Sequence, residues 1–179
     1  MRLLHGVLIL TCLMTVSVAF AETMACPTRN GVYAFSNHRW LELKPVLAKK
    51  VKSRAAFPAH NKVIAQYPGS SSQTVLRSDV SLCGTGIPVG TTFRLALAKQ
   101  DDRNREVIIG TMNPFSSSFS FDIDKKQEVE LQQTVDNSGT YLLHAPHAPD
   151  GQYILFMQQG SSLSSTPAAF DFSVEWKVD

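Results

Sequence analysis

Apolar and polar residues alternate along much of this chain. Phe170, Phe172, Val174, Trp176 and Val178 interleave with Asp171, Ser173, Glu175 and Lys177, so an extended strand there carries its apolar side chains on one face and its polar ones on the other. The same period of two recurs at Phe93, Leu95 and Leu97 and at Phe119, Phe121 and Ile123. Residues 141–144 and 153–157 are shorter apolar runs, set off by Asn137-Ser138-Gly139, Pro146, Pro149 and Asp150-Gly151, all of which favour turns. Asp101-Asp102-Arg103-Asn104 reads as a hairpin tip, and so does Ser36-Asn37-His38-Arg39 between residues 31–35 and 40–43.

Short alternating strands separated by turn signals imply antiparallel sheets with one dry face each. Two such sheets must cover one another, which predicts an all-β antiparallel sandwich, Ig-like or related, with a closed barrel as the other solution. One stretch invites a helix. Over residues 45–56, Val46, Leu47 and Val51 recur at helical spacing among Lys49, Lys50, Lys52 and Arg54, and Pro45 and Pro58 limit it to one or two turns. The expected organisation is a single domain over residues 22–179, opened by a hairpin (31–44) and a basic connecting segment (45–72), with no internal repeat.

Composition removes several alternatives. With 44% hydrophobic and 18% charged residues, 10 Gly and 9 Pro, the 179-residue chain is too apolar to be disordered and too poor in Gly and Pro to be low-complexity. Arg2, the apolar run from Leu3 to Phe20 and the small-x-small Ala19-Phe20-Ala21 predict a signal peptide cut after Ala21, hence a periplasmic or secreted protein. No later run is long enough for a spanning helix, so the mature chain is expected to lack a transmembrane segment. Cys12 leaves with the leader, and Cys26 and Cys83 remain. In an oxidising compartment they predict one disulfide, worth about 4 kcal/mol by loop closure. The alternatives are lipidation at Cys26, where Thr23 and Met24 fit poorly, and a nucleophilic thiol at Cys83, which has no neighbouring His in sequence.

Charge is uneven along the chain. Residues 22–99 hold 11 basic and 3 acidic side chains, and residues 100–179 hold 5 basic and 12 acidic. The near-balanced total argues against a nucleic-acid partner. Interleaved strands would let the two charge sets meet; opposite faces would instead make the domain an electric dipole. Lys44, Lys49, Lys50, Lys52, Arg54 and Lys62 form the densest basic stretch, suited either to solvation or to phosphorylated headgroups, anionic glycans or an acidic partner. Trp40, beside His38 and Arg39, is either an aromatic anchor for such a contact or a strand residue facing the core.

The stretch from Phe93 to Met157 carries an alternating strand, a charged tip, Arg105-Glu106-Val107-Ile108-Ile109-Gly110, a Phe-containing strand, Tyr141-Leu142-Leu143, Pro146 and Gly151-x-Tyr153. In these features it resembles a β-sandwich domain of unknown function found in uncharacterised exported bacterial proteins. The hairpin Gly31-Val32-Tyr33 to Trp40-Leu41-Glu42-Leu43-Lys44-Pro45 is similar to a unit that opens such chains. Gln152 stands where that family usually has Glu. The shared residues are turn and core positions, so the resemblance implies the sandwich and no active site.

Candidate chemistry is sparse. His144 and His147, followed by Asp150 and joined in principle by His38 or His60, have ligand-like spacing. Spacing by three gathers two side chains only on a helix, however, and Pro146 and Pro149 forbid one. The runs Ser70-Ser71-Ser72, Ser116-Ser117-Ser118 and Ser161 to Ser165 contain no nucleophile motif. Asp101 and Asp102 sit on an exposed tip where neither carboxyl is expected to shift. Cys83-Gly84-Thr85-Gly86 lacks the lysine of a phosphate loop. The expectation is a non-catalytic binding or accessory module of the cell envelope with no cofactor, touching an anionic component through Lys49, Lys50, Lys52 and Arg54. An envelope hydrolase with a loop-assembled site, or a structural subunit of an envelope complex, are the alternatives.

Overall fold

A computed structural model describes residues 25–56, 60–77, 79–116, 118–159 and 167–176. The expected leader with Cys12, Ser117, the serines from Ser161 to Ser165, and Lys177 and Val178 lie outside the described residues. The strands are β1 (Gly31–Ser36), β2 (Arg39–Glu42), β3 (Lys50–Ala56), β4 (His60–Pro68), β5 (Val75–Leu76), β6 (Val80–Thr85), β7 (Thr91–Gln100), β8 (Asn104–Met112), β9 (Phe119–Phe121), β10 (Glu128–Val129), β11 (Gln132–Val135), β12 (Tyr141–Ala145), β13 (Gly151–Gln159) and β14 (Ala168–Val174). A five-stranded sheet runs β11-β12-β6-β1-β2, and a larger one runs β3-β4-β8-β7-β13-β14-β5, with β9 on β8 and β10 on β7. The architecture is the all-β sandwich that the alternation predicts, with antiparallel pairing except between β14 and β5. The hairpin predicted over residues 31–43 is β1 and β2, and Asn37 and His38 both take positive φ in its turn.

No helix forms among the described residues, and the expectation of one within 45–56 is overturned. Residues 50–56 are instead the strand β3, paired along its length with β4. The apolar residues that suggested a helix share no face. Leu47 and Val51 are exposed, whereas Val46 packs on the core. Without a buried stripe, the long edge of β4 outweighs a weak local helical preference.

Two cores hold the domain together. Val32, Ala34, Leu82 and Leu143 of the smaller sheet meet Phe93, Leu95, Tyr153, Leu155 and Phe172 of the larger one. A second cluster, including Val63, Ala65, Tyr67, Val107, Ile109, Phe121, Ile154 and Phe156, fills the concave side of the larger sheet. That sheet curls round to close on itself. Pro45 bridges Phe170, the Val46 N–H donates to the Ala169 carbonyl and the Lys49 N–H to that of Gln66, so the lead-in to β3 touches β14 at one end and β4 at the other. Strand β13 is therefore dry on both faces, Tyr153 and Leu155 towards one core and Ile154 and Phe156 towards the other. This explains why residues 153–157 read as an unbroken apolar run. Each large side chain so buried contributes about 1.5 to 3 kcal/mol relative to exposure.

Three local features shape the surface. β7 and β8 pair only next to their hairpin, at Lys99 with Glu106 and Gln100 with Arg105, and then diverge. The Gln127 carboxamide fills the gap: its Nε2 donates to the Glu106 carbonyl at 3.0 Å and the Leu97 carbonyl at 3.3 Å, while its Oε1 accepts the Ile108 N–H at 2.9 Å. Gly110, at φ 155°, lies where a Cβ would come within 2.0 Å of the Ser120 carbonyl oxygen, so only glycine lets β9 approach β8. At the far end, the alternation of β14 stops at Val174. Trp176 is outside the core, 41% exposed, with its indole N–H on the Ala148 carbonyl.

Candidate functional site

The period of two in β3 puts Lys50, Lys52 and Arg54 on one face of the strand. Their partners on β4 are Gln66, Ile64 and Lys62, and the partners of those on β8 include Glu106, Ile108 and Thr111. Because Val63, Ala65, Tyr67 and Val107 face the second core, this row is the outer, solvent side of the sheet. Three of the four residues named from sequence thus share a surface, and β4 adds Lys62. Lys49 precedes the strand and contributes its backbone N–H to β4.

The face is incompletely neutralised. Lys62 grips Asp124 at 2.7 Å, and Lys52 stands 3.9 Å from Glu106, which also accepts from the Gln66 amide. The Lys62 ammonium, followed by the Lys126 backbone N–H, holds the Asp124 carboxyl below its ordinary value. Lys50 and Arg54 are exposed and form no ion pair among the described residues. Elsewhere Arg94 bridges Asp122 and Glu128. All four of these ion pairs join a base from residues 22–99 to an acid from residues 100–179; the fifth among the described residues, Arg105–Asp171, does not. The two charge sets that are separate in sequence therefore meet in part in the fold, and β3 keeps two exposed cations outside these pairs.

Beside this surface lies a cleft of about 610 Å³, lined by Glu42, Lys44, Ser71, Thr74, Arg105 and Asp171 among others. At its floor Arg105, 2% exposed, donates from Nη1 to Asp171 at 2.5 Å, from Nε to the Gly69 carbonyl at 3.2 Å and from Nη2 to the Pro68 carbonyl at 2.9 Å. The guanidinium is thus committed to its own chain. It ties β8 to β14 and to the bend after β4, and an incoming anion would have to displace Asp171. Sequence reasoning missed this pair because its members are 66 residues apart: Asp171 sits at a polar position of an alternating strand, and Arg105 shares the inward parity of Val107 and Ile109, where a charge is not expected.

The other candidates fall as follows. Cys26 and Cys83 form a disulfide with a Cα separation of 6.2 Å, so neither is a free thiol. Residues 25–30 are drawn over the outer face of the smaller sheet, where the Thr85 hydroxyl also donates to the Pro27 carbonyl. His144 lies on β12 opposite Ser81, and His147 occupies the left-handed region in the turn that follows. His38 is in the β1–β2 turn, and His60 opens β4. Among the described residues no group of three or more His, Cys, Asp or Glu could hold a metal ion. The expectation for the hairpin tip is corrected at Asp101: the N–H groups of Arg103 and Asn104 draw its carboxyl below its ordinary value. That is the direction opposite to what a general acid needs. Trp40 does not face the core; its ring packs on Phe35, 5.1 Å away, on the outer side of the smaller sheet. No helix among the described residues is long and apolar enough to cross a membrane. Comparison with protein-family models, curated proteins and solved structures finds no match.

Proposed function

We propose that this protein is a non-catalytic binding or accessory module, exported to the periplasm or beyond, whose cationic β3–β4 face contacts an anionic component of the cell envelope. The observation that carries this reading is the register that aligns Lys50, Lys52 and Arg54 with Lys62 on one outer face. That face holds four cations against the two carboxylates of Glu106 and Asp124. The Cys26–Cys83 disulfide fits an oxidising compartment.

The test is calorimetric titration of the full chain with polyphosphate as a soluble polyanion. Binding is expected at low ionic strength, with an affinity that falls steeply as salt rises. Absence of binding at low salt, or binding indifferent to salt, would refute the reading.

A further inference from the structure

We propose that the anionic component is a phospholipid bilayer, and that the β8–β9 tip enters it with Phe115 as an apolar wedge. The inference rests on the reading above and adds to it a partner and an orientation.

The sheet register sets the geometry. Arg54 pairs with Lys62, and Lys62 with Thr111; one residue further along β8, Met112 pairs with Phe119 of β9. The connection between β8 and β9 therefore leaves the sheet directly beyond the Arg54 end of the cationic row. It is a built turn. The Asn113 N–H donates to the Ser118 carbonyl at 3.0 Å, the Asn113 side-chain oxygen accepts the Phe115 N–H at 2.9 Å, and the Ser116 and Ser118 hydroxyls meet at 2.7 Å. This scaffold presents Phe115 at 93% exposure. Counting about 3.3 Å per strand residue, the phenyl ring stands on the order of 10 Å beyond Arg54. The β6–β7 connection leaves the same end, because β7 begins there and runs antiparallel to β8, and it exposes Val89 to 95%.

An exposed apolar tip and a partly unmatched cationic row whose Arg54 end adjoins it, with Lys50 four residues further away along β3, are the two signals that together give peripheral membrane binding. Apolar area enters the acyl boundary while the cations meet anionic headgroups. Ser116 and Ser118 would lie at headgroup depth, where their hydroxyls keep polar partners. A soluble phosphorylated polymer offers the same charge chemistry but has nothing for Phe115 to enter, so the two sources of phosphate can be told apart.

The experiment is flotation of the full chain with vesicles of mixed phosphatidylglycerol and phosphatidylcholine, and with phosphatidylcholine alone. The chain is expected to float with the anionic vesicles only. Phe115→Ser is expected to lower the partition coefficient roughly tenfold, as the loss of one buried aromatic side chain implies, without changing affinity for polyphosphate. In Phe115→Trp, the emission of the new indole is expected to shift to the blue on anionic vesicles and to be quenched by brominated lipid. Polyphosphate binding without flotation would overturn the bilayer, and flotation unaffected by Phe115→Ser or an unshifted Phe115→Trp emission would overturn the wedge; each leaves the anion-binding reading standing. Failure to bind both vesicles and polyphosphate would overturn the two together. Because the substituted side chain is exposed and outside both cores, the circular dichroism of either variant should match the parent.

Discussion

The Arg105–Asp171 pair and the β3–β4 face are neighbouring charged regions of one sheet with opposite fates. In the first, Nε, Nη1 and Nη2 of a buried guanidinium each meet an oxygen of the same chain. In the second, Lys50 and Arg54 are exposed, and among the described residues only Lys52 and Lys62 of this row have carboxylates within ion-pair distance. A buried charge that is fully matched is an internal tie. An exposed charge in partial excess remains available to a partner. The cleft is the more conspicuous feature by shape, yet its guanidinium is already matched, and it is the face that keeps exposed cations.

The comparison is best broken at the buried pair, where the largest effect is expected. Asp171→Ala leaves the Arg105 guanidinium buried without its carboxylate and should cost about 3 to 5 kcal/mol of unfolding free energy, measured by chemical denaturation. Serine at both Cys26 and Cys83 comes next, at about 4 kcal/mol less any native strain, and the loss should match that of the wild type under reducing conditions. A loss below about 1 kcal/mol for Asp171→Ala would mean that the pair is no tie and that Arg105 is free to serve the cleft.

Smaller effects sharpen the same contrast. Asp124→Asn should cost less than about 1 kcal/mol near neutral pH, because the Lys62 end of the pair is well exposed. The sign with pH follows from the lowered carboxyl. Its folded value lies below the unfolded one, so the pair adds stability above about pH 4 and loses it as pH falls through the folded value. Denaturation curves of wild type and Asp124→Asn should therefore converge in acid. The smallest effect is expected from Lys50→Gln, within about 0.5 kcal/mol of the parent at any pH, since Lys50 is exposed and forms no ion pair among the described residues.

Much of the architecture was legible because it depends on local periodicity. Alternation at residues 93–97 and 170–174 named strands and their dry faces, Asn37-His38 and Asp101 to Asn104 marked hairpins, and two remaining cysteines left one pairing. The errors share a physical origin in tertiary pairing. Residues 45–56 have helical spacing but no buried stripe, and the open edge of β4 decided their state. Trp176 continues the alternation in sequence, but the strand on which it would count has ended. Gln127, Arg105 and Asp171 act through partners on other strands, and their sequence neighbours carry no trace of those partners. The cationic face lies between these cases. Lys49, Lys50, Lys52 and Arg54 stand out by charge density, but the face that the last three share comes from a strand rather than from the expected helix.

The most direct test of the central claim compares the wild type with Lys50→Gln/Lys52→Gln/Arg54→Gln, following polyphosphate affinity and unfolding free energy in the same low-salt buffer. The account predicts an affinity at least about tenfold weaker with stability changed by less than about 1 kcal/mol. Equal affinities for the two proteins would contradict it.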